Sequence, residues 1–112
     1  MKGGHVNDFL DHVIYEEEAV RYKGQKYFFH GLLRNPETNT YEFTIDLWDG
    51  RDWYVKTIYQ AIAPTPDECM KRFLHDPIID GRCFWDIEQD MEWVEWWNRK
   101  QVFDTYDAEG LF

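Results

Sequence analysis

The stretch YEFTIDLW, residues 41–48, decides the fold class. Tyr41, Phe43, Ile45 and Leu47 fall on one side of an alternating chain. Glu42, Thr44, Asp46 and Trp48 fall on the other. A helix would spread both sets around its axis, whereas a period of two separates them. The segment therefore reads as a strand over 40–48 with one face in a core.

The chain on either side extends this strand into a sheet. NPETN (35–39) is a turn, in which Pro36 fixes φ and Asn39 tolerates unusual dihedrals. It leads back to QKYFFHGLL (25–33), a second strand with Phe29 and Leu33 on one side and Phe28 and Leu32 on the other. Gly31 inside that run signals a bulge or a close backbone approach. EEAVRYKG (17–24) supplies an earlier strand. Downstream, the Asp49–Gly50 pair is a hairpin turn. DWYVKTIYQAI (52–62) then forms a further strand with apolar residues on mixed faces. The expectation is an antiparallel meander of three or four strands.

Helices flank the meander. In VNDFLDHVIYEE (6–17), Val6, Phe9, Leu10, Val13 and Ile14 recur at helical spacing, with Asn7 or Asp8 as the cap. APTPDECMKRFLHDP (63–77) carries Thr65 at the cap, Pro66 in the first helical position and Glu68 three residues after Thr65. That is the pattern of a capping box, and Asp76–Pro77 ends the helix. PIIDGR (77–82) is a link that turns at Asp80–Gly81. A last helix is expected from Phe84 or Trp85 to about Arg99. The fold class is thus α+β: a three- to four-stranded antiparallel meander packed against C-terminal helices, with a short N-terminal helix. At 112 residues the chain fits a single domain over 1–112, with a flexible start (1–5) and end (107–112).

FWDIEQDMEWVEWW (84–97) raises the question of function, with four tryptophans, five acids and no base. At 100° per residue, Phe84, Ile87, Met91 and Val94 gather in one arc that Trp97 extends, which is the core face. Glu88, Glu92 and Glu95 form a solvated wedge. Trp85, Trp93 and Trp96 lie on neither arc. Trp is favoured at interfaces because it buries much area with little rotamer loss. Trp85, Glu92, Trp93, Glu95 and Trp96 are therefore the candidate interaction surface. The rival reading covers these indoles with the chain's own tail at Val102, Phe103 and Tyr106.

Charge limits the partners. There are 22 acids against 12 Lys and Arg, a net of -10. The first fifty residues carry nine acids and five bases, and the remainder thirteen and seven, so neither half is basic. Direct binding to DNA or RNA needs clustered bases, and an anionic membrane surface repels such a chain. A protein partner or self-association is expected instead. An acidic surface of this kind suits neutralisation of a basic partner, as inhibitors and nucleic-acid mimics achieve it. No signal-peptide h-region and no run of roughly 20 apolar residues is present. Cys69 and Cys83 stand outside any C-x-x-C pair, so the expected location is the cytoplasm with free thiols.

The residues for chemistry are sparse. Four histidines (His5, His12, His30, His75) fall in different elements, with no H-E-x-x-H or C-x-x-C. Asp46, Asp49 and Asp52 lack the frame of a calcium loop. The chain has no serine, and Cys69 sits beside a helix packing stripe. No catalytic, cofactor-binding or metal-ligating residue is assigned. The function expected is a non-catalytic protein-interaction or inhibitor-like module. The alternative is a small-ligand domain or small enzyme, with a pocket between sheet and helices lined by Trp53, Tyr54 and Trp85.

Overall fold

The computed structural model describes residues 1–49 and 53–94. Over these described residues it is an α+β architecture with three helices and a five-stranded antiparallel sheet. The elements are α1 (Val6–Tyr15), β1 (Glu18–Tyr22), β2 (Gln25–Asn35), β3 (Thr40–Trp48), β4 (Tyr54–Ala63), α2 (Pro66–His75), a hairpin of β5 (Pro77–Ile79) and β6 (Arg82–Cys83), α3 (Phe84–Ile87), a 3-10 turn (Glu88–Asp90) and β7 (Glu92–Val94). Sheet order is β4-β3-β2-β1-β7. Strands β1 to β4 are the expected meander, and β7 adds a fifth strand beside β1.

Local chemistry explains most boundaries. Thr65 Oγ1 accepts the Glu68 amide at 3.2 Å, and Pro66 opens α2. The α1 cap is His5, whose Nδ1 accepts the Asn7 amide at 3.1 Å, rather than Asn7 or Asp8. Lys23 and Gly24 both take positive φ (50° and 76°), as a two-residue hairpin turn requires. Asp80 and Gly81 (56° and 69°) do the same between β5 and β6.

Paired residues share a face of the sheet, so the register sorts the side chains. One face carries Trp93–Val20–Tyr27–Leu47, then Phe29–Ile45–Tyr59, then Leu32–Phe43–Ala61. Helix residues pack on it: Phe9 of α1 meets Phe29 edge-on at 5.6 Å, and Phe73 of α2 stacks on Phe43 at 4.1 Å. Phe9 also stacks on Phe84 of α3 at 6.0 Å, and these rings are fully buried. Aromatic area fills a small core with few residues.

Two features of this face differ from the expectation. The pairing steps from Phe29↔Ile45 to Leu32↔Phe43, so β2 carries one extra residue at His30–Gly31. A one-residue insertion reverses the side-chain phase. Leu32 therefore joins Phe29 in the core, and Leu33 turns outward. Gly31 (φ 83°) also allows α1 to approach, because a Cβ there would lie 2.9 Å from the Val13 carbonyl oxygen. In β3, Phe43 and Ile45 are fully buried, but Asp46 on the opposite face is buried as well. Its burial is satisfied by hydrogen bonds described below.

The largest correction concerns the helix expected over 84–99. It ends after one turn, and the chain re-enters the sheet at Glu92. Phe84, Ile87 and Met91 are fully buried, as the helical arc places them. The segment changes direction because Trp93 finds a site at β1 that no helix face offers. Its Nε1–H donates to the buried Glu18 carboxylate at 3.0 Å, and its ring meets Phe9 edge-on at 5.4 Å. The start of the chain closes over the same strand. The Lys2 amide donates to the Met91 carbonyl at 2.8 Å, and the Trp93 amide donates to the Lys2 carbonyl at 2.7 Å. A Cβ on Gly4 would lie 2.5 Å from the indole, so only glycine fits there. Within the start expected to be loose, Lys2 thus bonds on either side of Glu92 and Gly3 and Gly4 lie against Trp93. Glu88, expected in solvent, is buried with its Oε2 3.0 Å from the Met1 ammonium. The end expected to be flexible, 107–112, lies outside the described residues.

Candidate functional site

The expected interaction surface does not assemble as one patch. Trp93 is 4% exposed and belongs to the core. Glu92 is half-buried in β7 and pairs with Arg21 of β1 at 3.3 Å, which makes it a cross-strand ion pair. Trp85 is 41% exposed on α3, with its ring edge-on to Phe84 at 5.4 Å. Glu95 and Trp96 lie outside the described residues, as do the tail residues Val102, Phe103 and Tyr106. The correction for Trp93 follows from the change of element. The helical projection directed it away from the Ile87–Met91 arc, whereas strand alternation turns it to the same side as Met91.

The residues expected to line a pocket are also on the surface. Trp53 is 69% exposed and Tyr54 is more than half exposed, which is more than a cavity wall leaves open. Asp49 closes the loop beneath them: its amide donates to the Trp53 carbonyl at 2.9 Å, and its Oδ1 accepts the Trp53 amide at 3.1 Å.

Among the described residues, Tyr15 (87% exposed) stands at the end of α1 and Trp85 on α3, and the other exposed large apolar side chains lie on or beside β4 and β2. Leu33 (56% exposed), Trp53, Tyr54, Val55 and Ile62 (46% exposed) lie on β2, β4 or the loop before β4. Leu33 and Ile62 flank Glu42 in one row across β2, β3 and β4, on the face opposite the core. Phe28–Asp46–Thr57 and Lys26–Trp48–Tyr54 form further rows of that face, where Phe28 and Trp48 meet at 4.4 Å. Glu42 is half-buried, and its carboxylate has no hydrogen bond or ion pair among the described residues. Strand β4 carries one base, Lys56, and no acid.

A polar clamp stiffens the middle of this face. His30 Nε2 meets Asp46 Oδ2 at 2.5 Å, and His30 Nδ1 lies 3.5 Å from Glu17. Thr57 Oγ1 donates to the other Asp46 oxygen at 2.7 Å, and the Thr57 amide donates to the Tyr54 hydroxyl at 3.0 Å. His30 is thus bonded to Asp46 through Nε2, with Nδ1 facing Glu17. The clamp accounts for the burial of Asp46 and ties β2, β3 and β4 together at the bulge.

The thiols are equally engaged. Cys69 is fully buried, with its S–H directed at the carbonyls of Tyr41 (3.6 Å) and Ala61 (3.7 Å). Burial pushes its pKa up, the wrong direction for a nucleophile. Cys83 Sγ sits 3.3 Å from the Asp86 carboxylate. Among the described residues no group of three or more His, Cys, Asp or Glu side chains is arranged to hold a metal ion. No described helix is long and apolar enough to cross a membrane.

Sequence reasoning missed Leu33, Ile62 and Val55 as surface residues. The signal for Leu33 was present in Gly31, because a bulge there reverses the phase. For β4 it was the apolar pattern on mixed faces. The register shifts at Val55 and at Ile58, so a single alternation cannot describe the strand. Comparison of the chain with family models, curated proteins and solved structures gives no match.

Proposed function

We propose that the chain is a small acidic cytoplasmic domain that acts without catalysis, by holding a protein partner against the β4 end of its sheet. In this reading the helices back one face of the sheet, and contact uses the other. The observation that carries it is the exposure of Trp53, Tyr54, Val55, Leu33 and Ile62 on or beside β4 in a chain of net charge -10. Single exposed apolar residues are ordinary, but two groups of them along one strand, Trp53–Tyr54–Val55 at its start and Leu33–Ile62 at its far end, need a reason. Aromatic residues hold a contact, and the surrounding negative field raises the rate of encounter with a basic partner. The same field disfavours direct contact with nucleic acid or an anionic membrane.

The test compares wild type with a Trp53→Ser/Val55→Thr/Ile62→Thr variant whose circular dichroism shows an intact fold. Specific capture of one protein from native extract, or self-association by sedimentation, should be lost in the variant. Equal behaviour of the two proteins would overturn the reading.

A further inference from the structure

We propose that the row Leu33–Glu42–Ile62 is a seat for an arginine side chain presented by the protein partner, an inference that rests on the contact surface described above. The three residues lie side by side on adjacent strands, with the carboxylate in the middle and an exposed aliphatic side chain on each flank. Adjacent strands are about 4.8 Å apart, so the two flanks stand roughly 10 Å from each other. That span accepts one flat group over Glu42 with apolar contact on both sides.

Two observations select a cation. Glu42 is a half-buried carboxylate with no hydrogen bond or ion pair among the described residues, whereas the clamp carboxylate Asp46 and the edge carboxylate Glu92 both have partners. The chain as a whole is strongly acidic, so an approaching base gains from the long-range field and from Glu42 together. The aliphatic flanks select arginine over lysine. A guanidinium is weakly hydrated, lies flat on apolar surface and bonds a carboxylate through two N–H groups, whereas an ammonium is compact and strongly hydrated.

The geometry also fixes how the partner approaches. Addition of a strand along the outer side of β4 is blunted. Bulges at Val55 and Ile58 bend that edge, Lys56 stands on it, and Arg72 Nη1 already donates to the Ile62 carbonyl at 2.8 Å. The partner therefore meets the face of the sheet, through side chains, rather than its edge.

The experiment is selection of a random peptide display library against the immobilised full chain, in parallel for wild type, Glu42→Gln and Glu42→Lys. Glu42 lies on the face away from the core, and circular dichroism checks that each variant folds. Wild type is expected to enrich arginine next to apolar residues. Glu42→Gln should keep the apolar preference and lose arginine, with wild-type-selected peptides binding at least about tenfold more weakly. Glu42→Lys should enrich Asp or Glu at the same place. Enrichment of apolar peptides without arginine, or with arginine unaffected by either substitution, overturns the seat and leaves the contact surface standing. Absence of any enrichment with all three proteins overturns both.

Discussion

The two ends of the sheet treat tryptophan in opposite ways. At the β7 end, Trp93 is covered by Phe9, His12 and the Gly3–Gly4 segment, and its N–H is met by Glu18. At the β4 end, Trp53 and its neighbours Tyr54 and Val55 stand in solvent. Nearby sequence does not distinguish them, since both indoles have acidic neighbours and lie next to an aromatic or β-branched residue. What differs is the supply of covering groups from elsewhere in the chain. The β7 end receives the start of the chain and α1, whereas the exposed half of β4 precedes the part covered by α2. Trp93 therefore contributes to stability, and Trp53 is left available for contact.

The sharpest way to break this contrast is a matched pair of truncations. Trp93→Ala should cost about 3–5 kcal/mol, because it empties a buried aromatic site and leaves the buried Glu18 carboxylate short of a donor. Trp53→Ala should change stability by less than about 0.5 kcal/mol. Denaturant melts of both variants measure this, and similar losses would abolish the distinction.

A second substitution probes the cover rather than the indole. Gly4→Ala places a methyl group against the Trp93 ring, where a Cβ would lie only 2.5 Å from the nearest ring carbon. Overpacking of this kind costs about 1–3 kcal/mol. The matching change at Gly24, whose Cβ would meet nothing within 4 Å, tests only the strain of its positive φ. Thermal unfolding should rank Gly4→Ala as the worse of the two.

How much of this was legible in the sequence depends on the range of the interactions. The strand at 40–48, the Asp80–Gly81 turn and the Thr65–Pro66–Glu68 start of α2 are written in neighbouring residues. The fate of 84–94 is not. Phe84, Ile87 and Met91 satisfy a helical arc, yet Met91, Glu92 and Trp93 satisfy alternation as well. The choice between periods is made by Glu18, which is 75 positions away from Trp93, and by Lys2. Such a partner leaves no local signal. The candidate surface failed to read for a related reason. Leu33 is outward only because one residue is inserted at His30–Gly31, and Glu42 becomes notable only when Leu33 and Ile62 are known to flank it.

The polar clamp offers a third, smaller contrast, between two carboxylates on the same face. Asp46→Asn should destabilise by about 1–3 kcal/mol, since it removes the charge that His30 and Thr57 share. Glu92→Ala, which breaks a surface ion pair with Arg21, should cost less than about 0.5 kcal/mol. Chemical denaturation of the two variants separates a buried carboxylate from a half-buried one.

The smallest expected effect depends on pH. His12 has its pKa raised, first by its hydrogen bond to the Asp8 carbonyl (2.7 Å) and then by Glu18, Glu16 and Asp8, with slight burial opposing. A group with a raised folded pKa binds its proton more tightly when folded. Its contribution is full below the unfolded pKa of about 6.5 and fades as pH rises through the higher folded value. Stability of wild type relative to His12→Gln should therefore fall slightly on going from about pH 6 to about pH 8.

Trp93 at the β7 end is core, and the proposed contact surface lies at the β4 end. Hydroxyl-radical footprinting of the full chain, free and then bound to the partner captured from native extract, tests this directly. Trp53 and Tyr54 should be heavily oxidised in the free chain and protected in the complex, while Trp93 stays unmodified in both. Oxidation of Trp93 in the folded free chain, or no protection of Trp53 and Tyr54 in the complex, would contradict the account.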